Sequence, residues 1–481
     1  MDVKKAPSFN IVTLGCEKNS VDSEGMGQVL AESGYTDAAR PEDADVLIVN
    51  TCGFLQASTG ESVAALLDLA ARKRPDQLLV AAGCATQRYG AAIADQVPGV
   101  DGLLSTRQWP QIARLVEHLR TQQANGELPA QVDGAGAVAA IQAHAAGIEQ
   151  ALLAPVQPTA ELKRFKRKAN GASAYVKISE GCDHTCAFCI IPDIRGKHIS
   201  KPIEEVAAEV RDLSEQGVRE AILIAQDSTY YGTDLHLRDG LAQLLEAIAR
   251  EAPAMDWVRL MYAYPTQITP RLIETMAVLP QVCKYLDMPL QHGHPETLRR
   301  MRRPNNVDRV RRLIADLRAA MPDIALRTTF IVGFPGETDA EFQALLDFIE
   351  EIQFDHVGMF MYSAEEGTRA ATLPDQIAEK VKQRRYKQAM LLQQRISAAK
   401  NQRWVGRTLD VLIEGTGTVD DGRGRKSPIL AGRYYRQAPE VDGMVFVKGH
   451  PGIEVGQTVR VRINQSTEYD LWGKVAPPAR A

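Results

Sequence analysis

Six of the seven cysteines in this 481-residue chain fall into two groups of three. One group, the compact triplet, consists of Cys182, Cys186 and Cys189 and forms the pattern C-x-x-x-C-x-x-C within EGCDHTCAFCIIP. The other group, the dispersed triplet, consists of Cys16, Cys52 and Cys84. In a reducing compartment, cysteines at such spacings indicate metal or redox chemistry rather than disulfide bonds.

The compact triplet has the spacing to hold a 4Fe–4S cluster on one loop. Such a cluster takes four ligands, and no fourth cysteine lies nearby in the sequence, so one iron would stay open. Electron carriers avoid an open iron, whereas a catalytic cluster needs one. Two alternatives remain open, a zinc site completed by His184 and a cluster completed by Cys283. Otherwise we expect Cys283 to be a core thiol.

Each cysteine of the dispersed triplet follows a predicted parallel strand. The three strand patterns are FNIVTLG, ADVLIVNT and QLLVAAG. Because the carboxyl ends of parallel strands converge on one crevice of an open α/β sheet, we expect the three thiols to form a second cluster site with one open iron. The alternative is three unrelated buried thiols, since cysteine is among the most buried residue types.

The patterns around these cysteines predict an α/β chain of three domains. Residues 8–120 alternate strand and helix signals and predict an open parallel-sheet domain. Residues 121–165, rich in Ala, Gln and Gly, predict a linker or insertion. Residues 166–400 contain six further strand–helix units and predict a partial (β/α) barrel. Residues 401–475 carry five short strand patterns, GRYYRQ (432–437) among them, and predict a small closed β-barrel of oligonucleotide-binding type.

The composition is that of an ordinary globular protein. Hydrophobic residues make up 45% of the chain, charged residues 24%, and the formal net charge is −4, so no overall attraction to nucleic acid is indicated. No apolar run is long enough for a transmembrane helix. The first residues lack an apolar signal core. We therefore expect a cytoplasmic protein without a membrane partner.

The whole arrangement resembles the radical S-adenosylmethionine (SAM) methylthiotransferase family. That family combines an N-terminal domain with three dispersed cysteines, a radical SAM barrel and a C-terminal β-barrel of the TRAM type. The resemblance covers nearly all of the chain except the predicted linker. It implies two 4Fe–4S clusters. The cluster on the compact triplet would bind SAM and generate a radical, and the cluster on the dispersed triplet would deliver the sulfur.

The resemblance also indicates residues that contact SAM. The segment TTFIVGFPGET (328–338) is similar to the family's strand-end segment along the adenosine, where Gly333 and Gly336 would let the backbone approach a ligand closely. The alternative is a plain tight turn. Gln226 and Asp227 lie in AQDSTYYG, at the end of another strand, where barrel enzymes place ligand-binding loops.

Two branches of the family differ in substrate. The segments KISEGCDHTCAFCIIPDIRGKHIS, YLDMPLQHGHPETLRRMRRP and RYYRQAPEVDGMVFV resemble the branch that modifies the β-carbon of an aspartate in ribosomal protein S-twelve of the small subunit. The alternative substrate is an adenosine in transfer RNA. Residues 401–475 hold 11 Lys and Arg against 9 Asp and Glu, which is a modest excess for a module that grips RNA.

A ribosomal protein substrate implies particular partners. Acidic side chains of the C-terminal barrel would meet a basic substrate protein, and the candidates are Asp420, Asp421, Glu440 and Asp442. The chemistry also needs an electron donor and a source of sulfur. Two other classes of protein remain alternatives, a non-catalytic iron–sulfur carrier and an RNA-binding zinc protein.

Overall fold

The computed structural model of the chain describes residues 6–126, 167–420, 426–448 and 452–477. The part of the predicted linker that follows residue 126 lies outside these ranges, and so does Asp421. The chain forms two compact units. Unit 1 comprises Met1–Lys168, Glu180–His184 and Ile190–Lys201, and unit 2 comprises Ala169–Ser179, Thr185–Cys189 and Pro202–Ala481. The domain limits predicted from the sequence stay predictions.

Unit 1 is built on a parallel sheet of five strands. They are β1 (Ser8–Thr13), β2 (Thr36–Asp37), β3 (Val46–Thr51), β4 (Leu78–Gly83) and β5 (Gly102–Ser105). Their order across the sheet is β2-β1-β3-β4-β5, which confirms the predicted open sheet. Every residue of β3 and β4 is buried, because helices cover both faces.

Four helices cover this sheet. They are α1 (Glu17–Glu32), α2 (Gln56–Arg72), α3 (Cys84–Gln96) and α4 (Ile112–Ala124). Leu30 of α1 and Leu119 of α4 share a core with Ile48, whereas Leu66 of α2 and Ile93 of α3 pack in a separate core on the other face. The chain therefore winds in opposite directions from β1 and from β3. In such folds the crevice beyond the carboxyl ends of those two strands is the usual ligand site.

Four short elements surround the compact triplet in the sequence. They are β6 (Ser173–Lys177), β7 (Ser179–Glu180), α5 (Ile191–Arg195) and β8 (Ile199–Ser200). The loop residues 185–189 belong to unit 2 together with β6, whereas 180–184 and 190–201 belong to unit 1. Contacts of the compact triplet are therefore described separately for each unit.

Unit 2 contains a six-stranded parallel sheet. Besides β6 its strands are β9 (Glu220–Ile224), β10 (Trp257–Leu260), β11 (Val282–Asp287), β12 (Ala325–Val332) and β13 (His356–Met361). Their order, β13-β12-β11-β10-β9-β6, forms an open sheet with β13 and β6 at its two edges. This confirms the predicted partial barrel.

Helices connect and close the partial barrel. They are α6 (Ile203–Glu215), α7 (Gly240–Glu251), α8 (Pro270–Val278), α9 (Pro295–Arg300), α10 (Val307–Ala320), α11 (Asp339–Ile352) and α12 (Glu379–Gln402). Within the described ranges, no helix has both the length and the apolar content that a membrane crossing requires.

The C-terminal part of unit 2 is the predicted small barrel. Its strands are β14 (Thr408–Asp420), β15 (Lys426–Arg433), β16 (Val445–Lys448), β17 (Thr458–Ser466) and β18 (Leu471–Val475), and the barrel is closed. The prediction that GRYYRQ is a strand is wrong beyond Arg433. The chain turns there because the Arg433 guanidinium donates to the carbonyl of Gln437 at 2.6 Å, while Tyr434 packs edge-on against Trp404.

Buried charges join the small barrel to the amino ends of the parallel strands. Glu220 begins β9 and accepts a hydrogen bond from Arg259 of β10 at 2.6 Å and another from Arg433. Arg433 also donates to Glu414 of β14 at 2.7 Å. Burial alone would raise the pKa of Glu220, but the two guanidinium groups lower it to about 2. One carboxylate therefore connects three strands of two sheets.

Asp442 takes part in a second buried contact of the same kind. Its side chain is 1% exposed and accepts hydrogen bonds from the Tyr285 hydroxyl at 2.7 Å and the Ala438 amide at 2.8 Å. The expectation that Asp442 lies on a partner-facing surface is therefore wrong. Sequence reasoning missed this because a lone aspartate after a turn carries no sign of its distant tyrosine partner. Glu440 is exposed, as expected.

We expect Arg433→Met to lower the free energy of unfolding by about 3–5 kcal/mol at pH 7, because it removes one of the two guanidinium partners of the buried Glu220 and the partner of the partly buried Glu414. The folded-state pKa of Glu220, about 2, is lower than its ordinary value of 4.5. Its contribution is therefore complete above pH 4.5 and is lost as the pH falls toward 2. Urea unfolding at several pH values measures both effects. Arg238→Met, at a side chain that is 96% exposed, is the control, and equal losses in the two variants would contradict the prediction.

Candidate functional site

All three cysteines of the dispersed triplet lie at the carboxyl edge of the unit 1 sheet. Cys16 is the residue before α1 and follows β1, Cys52 follows β3, and Cys84 is the first residue of α3 directly after β4. Cys16 is exposed, Cys52 is intermediate and Cys84 is buried. The triplet thus runs from the exposed Cys16 to the buried Cys84 along the ends of β1, β3 and β4.

Glycine allows the first two turns to approach each other. Gly15 has φ +97°, a backbone conformation that other residues rarely adopt. A β-carbon at Gly15 would lie 2.8 Å from the Cys52 β-carbon and 3.0 Å from its sulfur. A side chain at this position would therefore push the Cys16 turn away from Cys52.

The three thiols are close enough to influence one another. Burial raises the pKa of Cys84 to about 11, the positive charge of Arg195 opposes that rise, and Cys16 and Cys52 add to it. Without a bound metal, Cys84 is therefore a neutral thiol at pH 7. A metal or cluster that binds it must displace the proton.

Two further residues hold this crevice together, and sequence reasoning missed both. The Asn19 amide donates to the carbonyls of Leu14 at 2.8 Å and Thr51 at 3.0 Å, which fixes the ends of β1 and β3. Arg195 donates to the Cys84 sulfur at 3.4 Å. A signal for Asn19 was its position one helical turn after Cys16. Arg195 had no such signal, because it contacts Cys84 across more than one hundred residues of chain.

The thiol donors of the dispersed triplet are of the kind that an iron–sulfur cluster requires. Among the residues that the structure describes, no group of three or more His, Cys, Asp or Glu is placed to hold one metal ion. Ligands of one ion converge on a point about 2 Å from each donor atom. The thiolates of a 4Fe–4S cluster each bind a different iron and stand farther apart. The three cysteines stand at one edge of the sheet, and the sulfur of Cys84 lies beside a guanidinium group.

In unit 2, backbone contacts fix the second half of the compact triplet. The Ala187 amide donates to the carbonyl of Met301 at 2.9 Å, and the Cys189 amide donates to the carbonyl of Cys186 at 3.1 Å. Arg303 points a guanidinium nitrogen at the Cys186 sulfur at 3.8 Å while its plane covers the Tyr264 ring. Arg303 thus places a positive charge beside this sulfur.

In unit 1, the first residue of the compact triplet is held by its backbone. The Cys182 amide donates to the carbonyl of Gly196 at 3.0 Å, and the Asp183 carboxylate accepts from the His198 amide at 3.1 Å. Phe188, which belongs to unit 2, packs against a core that includes Phe334 and Tyr362. Ordinary core packing is therefore its observed role.

The predicted SAM segment forms a tight turn around a buried carboxylate. Gly333 and Gly336 have φ values of +72° and +75°. Glu337 accepts from the Gly333 amide, forms an ion pair with Arg385 at 3.2 Å and contacts His292 at 3.4 Å. Burial lowers the pKa of His292, which favours its neutral form. The turn is thus preformed, and contact with SAM stays a prediction.

The other predicted SAM residues lie at the carboxyl end of β9. Asp227 is 2% exposed, and its carboxylate accepts hydrogen bonds from the Thr229 amide and hydroxyl at 2.9 and 2.6 Å. Asp227 therefore shapes the loop, and Gln226 precedes it at intermediate burial. A direct role of either residue in binding SAM stays a prediction.

Cys283 lies apart from the loop of the compact triplet. It is 3% exposed on β11, and burial raises its pKa to about 11, with Arg259 and Glu220 as charged neighbours. Glu220 is the first residue of β9 and Cys283 is the second of β11, so both lie at the amino ends of their strands, whereas Cys186 follows the carboxyl end of β6. The position favours a core thiol over a fourth cluster ligand.

Three family models match successive parts of the chain. The radical SAM superfamily matches residues 176–349, the TRAM domain matches residues 405–476, and the family described as uncharacterized protein family UPF0004 matches residues 8–105. Each match falls on one of the three sheets or barrels described above.

Curated relatives match the chain over almost its full length. A protein of Roseiflexus sp. (strain RS-1) named ribosomal protein uS12 methylthiotransferase RimO is 51% identical, and the alignment covers 97% of each chain. A protein of the same name from Chloroflexus aurantiacus is also 51% identical over 97% of this chain and 99% of its own. Among solved structures, the radical SAM methyltransferase TsrM from Kitasatospora setae has a TM-score of 0.52 at 14% identity and covers 74% of this chain and 75% of its own. That likeness concerns the fold alone.

We expect iodoacetamide to modify Cys16 much faster than Cys84 in the metal-free protein at pH 8. Cys16 is exposed, whereas Cys84 is buried and its pKa of about 11 leaves about one thiol in a thousand as the reactive thiolate. Cys283, with the same pKa and a buried position, is the matched reference. Peptide mass mapping over time measures the rates. Equal rates at Cys16 and Cys84 would contradict the described crevice.

Proposed function

This chain belongs to the family of ribosomal protein uS12 methylthiotransferases named RimO, and we propose that it adds a methylthio group to the β-carbon of an aspartate in uS12, the S-twelve protein named above. The observation that carries the proposal is 51% identity to such relatives over 97% of the chain. The names of these relatives do not favour the transfer RNA alternative.

We propose the two cysteine triplets as the ligands of the family's two 4Fe–4S clusters. The compact triplet holds the cluster that binds SAM, and the dispersed triplet holds the second. When bound, the first cluster supplies the electron that cleaves SAM and so provides the radical for the reaction. The support is the donor chemistry, because each triplet offers three thiols and leaves one iron without a protein ligand.

The residues around the triplets prepare the two sites. Asn19 keeps the ends of β1 and β3 together, which holds Cys16 and Cys52 at one edge. Arg303 places a positive charge beside Cys186. Glu337 fixes the Gly333 turn, and its charge is balanced by Arg385, so the segment that follows β12 is rigid before any ligand arrives.

The remaining partners are part of the proposal. The substrate uS12 is modified within the small ribosomal subunit, and the reaction draws on an external electron donor and a sulfur donor in the cytoplasm. The support for a protein substrate from this chain alone is the weak charge excess of residues 401–475. A module that binds RNA through many phosphates needs a stronger one.

The test is anaerobic reconstitution with iron and sulfide, followed by reaction with SAM, a strong reductant and either small ribosomal subunits or transfer RNA. Mass spectrometry of both substrates should detect a methylthio group on an aspartate of uS12. Iron analysis should give about eight irons per chain for two clusters. Replacing either whole triplet with alanine should leave about four and abolish product.

Cys283→Ala is the matched control, since it removes a buried cysteine outside both triplets. It should keep about eight irons and most of the activity. Modification of transfer RNA instead of uS12 would overturn the proposed substrate, and full iron content in a triplet variant would overturn the proposed ligands.

A further inference from the structure

Arg195 is a buried guanidinium group in contact with a proposed cluster ligand. Its side chain is 2% exposed. One terminal nitrogen donates to the Cys84 sulfur at 3.4 Å and to the Asn19 side-chain oxygen at 2.7 Å. The other donates to the carboxylates of Asp22 at 3.2 Å and Glu180 at 2.8 Å. All of these groups belong to unit 1.

The geometry of Arg195 is specific to arginine. Its planar fork reaches four acceptors at once, and two carboxylates already balance its charge. A group that only neutralised Asp22 would have no need to contact a sulfur. Lysine carries the same charge but presents a single nitrogen on a flexible stem, so it cannot serve two carboxylates, an amide and a sulfur together.

The short helix that carries Arg195 is held in place from its other side. Arg107 donates to the carbonyl of Ile194 at 3.0 Å and to that of Asp193 at 2.8 Å. Gly196, with φ +81°, ends the helix immediately after Arg195. In the sequence, Arg195 follows Cys189 of the compact triplet by only six residues. The backbone around Arg195 is thus fixed on both sides of the residue.

We propose that Arg195 is a positioning residue for the second cluster. Its N–H group donates to the Cys84 thiolate, keeps that sulfur directed into the crevice and stabilises the reduced, more negative state of a cluster bound there. Hydrogen bonds to ligand sulfurs are one of the levers that set the reduction potentials of such clusters. The inference rests on the proposed assignment of the dispersed triplet as ligands.

The test uses the full chain with Cys182, Cys186 and Cys189 replaced by alanine, so that one cluster remains. Arg195→Met and Arg195→Lys are made in this parent, and the midpoint potential is measured by redox titration monitored by electron paramagnetic resonance. We expect Arg195→Met to shift the potential to a more negative value and Arg195→Lys to shift it less. Iron content and the thermal midpoint are measured on the same samples.

Arg167→Met is the matched control. Arg167 is also buried, at 3% exposure of its side chain, and pairs with Glu24 on the same helix as Asp22. It should leave the potential of the cluster unchanged. Full iron with an unchanged potential in both Arg195 variants would overturn the inference. Loss of iron from the parent itself would overturn the ligand assignment, and the proposed role of Arg195 with it.

A cavity of about 430 Å³ in unit 2 carries a second, independent inference. Five positive side chains line it, namely Arg318, Lys400, Arg403, Arg407 and Arg436. Three carboxylates line it as well, namely Asp323, Glu351 and Asp355. The cavity lies near the C-terminal end of α12, far along the chain from both cysteine triplets.

The buried part of this cavity has more positive than negative charge. Asp355, 7% exposed, is paired with Lys400 at 2.8 Å and Arg436 at 2.6 Å, and its charge also acts on Arg318. Burial lowers the pKa of Lys400 and of Arg318, although Asp355 opposes both shifts. Lys400 and Arg436 thus share one buried carboxylate, while the half-buried Arg318 donates to the carbonyls of Ile352 and Gln353. This excess of positive charge is costly unless an anion joins it.

The cavity is also lined by the aromatic ring of Trp404 and by the exposed side chains of Arg403 and Arg407. Arg407 and Arg436 each place a guanidinium carbon 5.2 Å from the centre of the Trp404 ring. Arg403 and Arg407 are exposed, and among the described residues no carboxylate is paired with either. We infer that the cavity binds a phosphate group, either free phosphate or a phosphodiester of RNA. The RNA source rests on the proposed ribosomal substrate, whereas the free-phosphate source does not.

The test compares inorganic phosphate with a short single-stranded RNA at constant ionic strength. Calorimetric titration measures the first and fluorescence anisotropy the second. We expect Arg403→Ala with Arg407→Ala to weaken binding of the true ligand by about tenfold or more, since two charged contacts are lost. Arg309→Ala with Arg312→Ala removes the same charge from the exposed face of α10 and should have little effect.

Phosphate binding that depends on Arg403 and Arg407 would support a free-phosphate site. If only RNA binding depends on Arg403 and Arg407, the same site would be assigned to a phosphodiester. If the two double variants bind each probe equally, or if neither probe binds the unmodified chain, the inference is overturned.

Discussion

Parallel strands place their carboxyl ends at one edge of a sheet, and the dispersed cysteines depend on this constraint. In unit 1 the chain winds in opposite directions from β1 and β3, so the helices that follow leave a crevice between those strands. Cys16 and Cys52 stand on either side of that crevice, and Cys84 stands beyond the next strand. Residues that are far apart in sequence therefore share one site without any long connecting loop.

Gly15 and the side-chain amide of Asn19 bring the two sides of this crevice close together. Gly15 adopts a conformation that brings its turn against Cys52, which any larger residue would prevent. Asn19 then bonds to backbone carbonyls at the ends of both flanking strands. The site is consequently rigid before any ligand binds, and a rigid site loses less conformational freedom on binding.

Buried arginines with carboxylate partners occur in both units. Arg195 pairs with Asp22 and Glu180 in unit 1, and Arg433 pairs with Glu220 and Glu414 in unit 2. A buried ion pair adds little net stability, but the loss of one partner is costly. Such pairs therefore specify one arrangement of elements over others. At Arg195 and Arg303 the guanidinium group additionally faces a cysteine sulfur, and at Cys84 the charge of Arg195 opposes the rise in pKa that burial causes.

The sequence alone determined which residues could bind metal and which sheets would carry them. Cysteine spacing is a local property, and the alternation of apolar strands with helices records burial on both faces, so both can be read along the chain. These patterns also identified the methylthiotransferase family, and the curated relatives confirm that assignment. The closed C-terminal barrel followed from five short strand patterns, although GRYYRQ proved to be largely a turn because Arg433 bonds back to Gln437.

Only the tertiary structure decided the partners of individual charged side chains. Arg195 meets Cys84, Arg433 meets Glu220, and Asp442 is buried against Tyr285 instead of facing a partner. Each of these contacts joins residues more than one hundred positions apart. Local patterns carry no information about such contacts, because a charged residue looks the same in the sequence whether water or a buried partner satisfies it. Its role is set by the packing of elements that the sequence specifies one at a time.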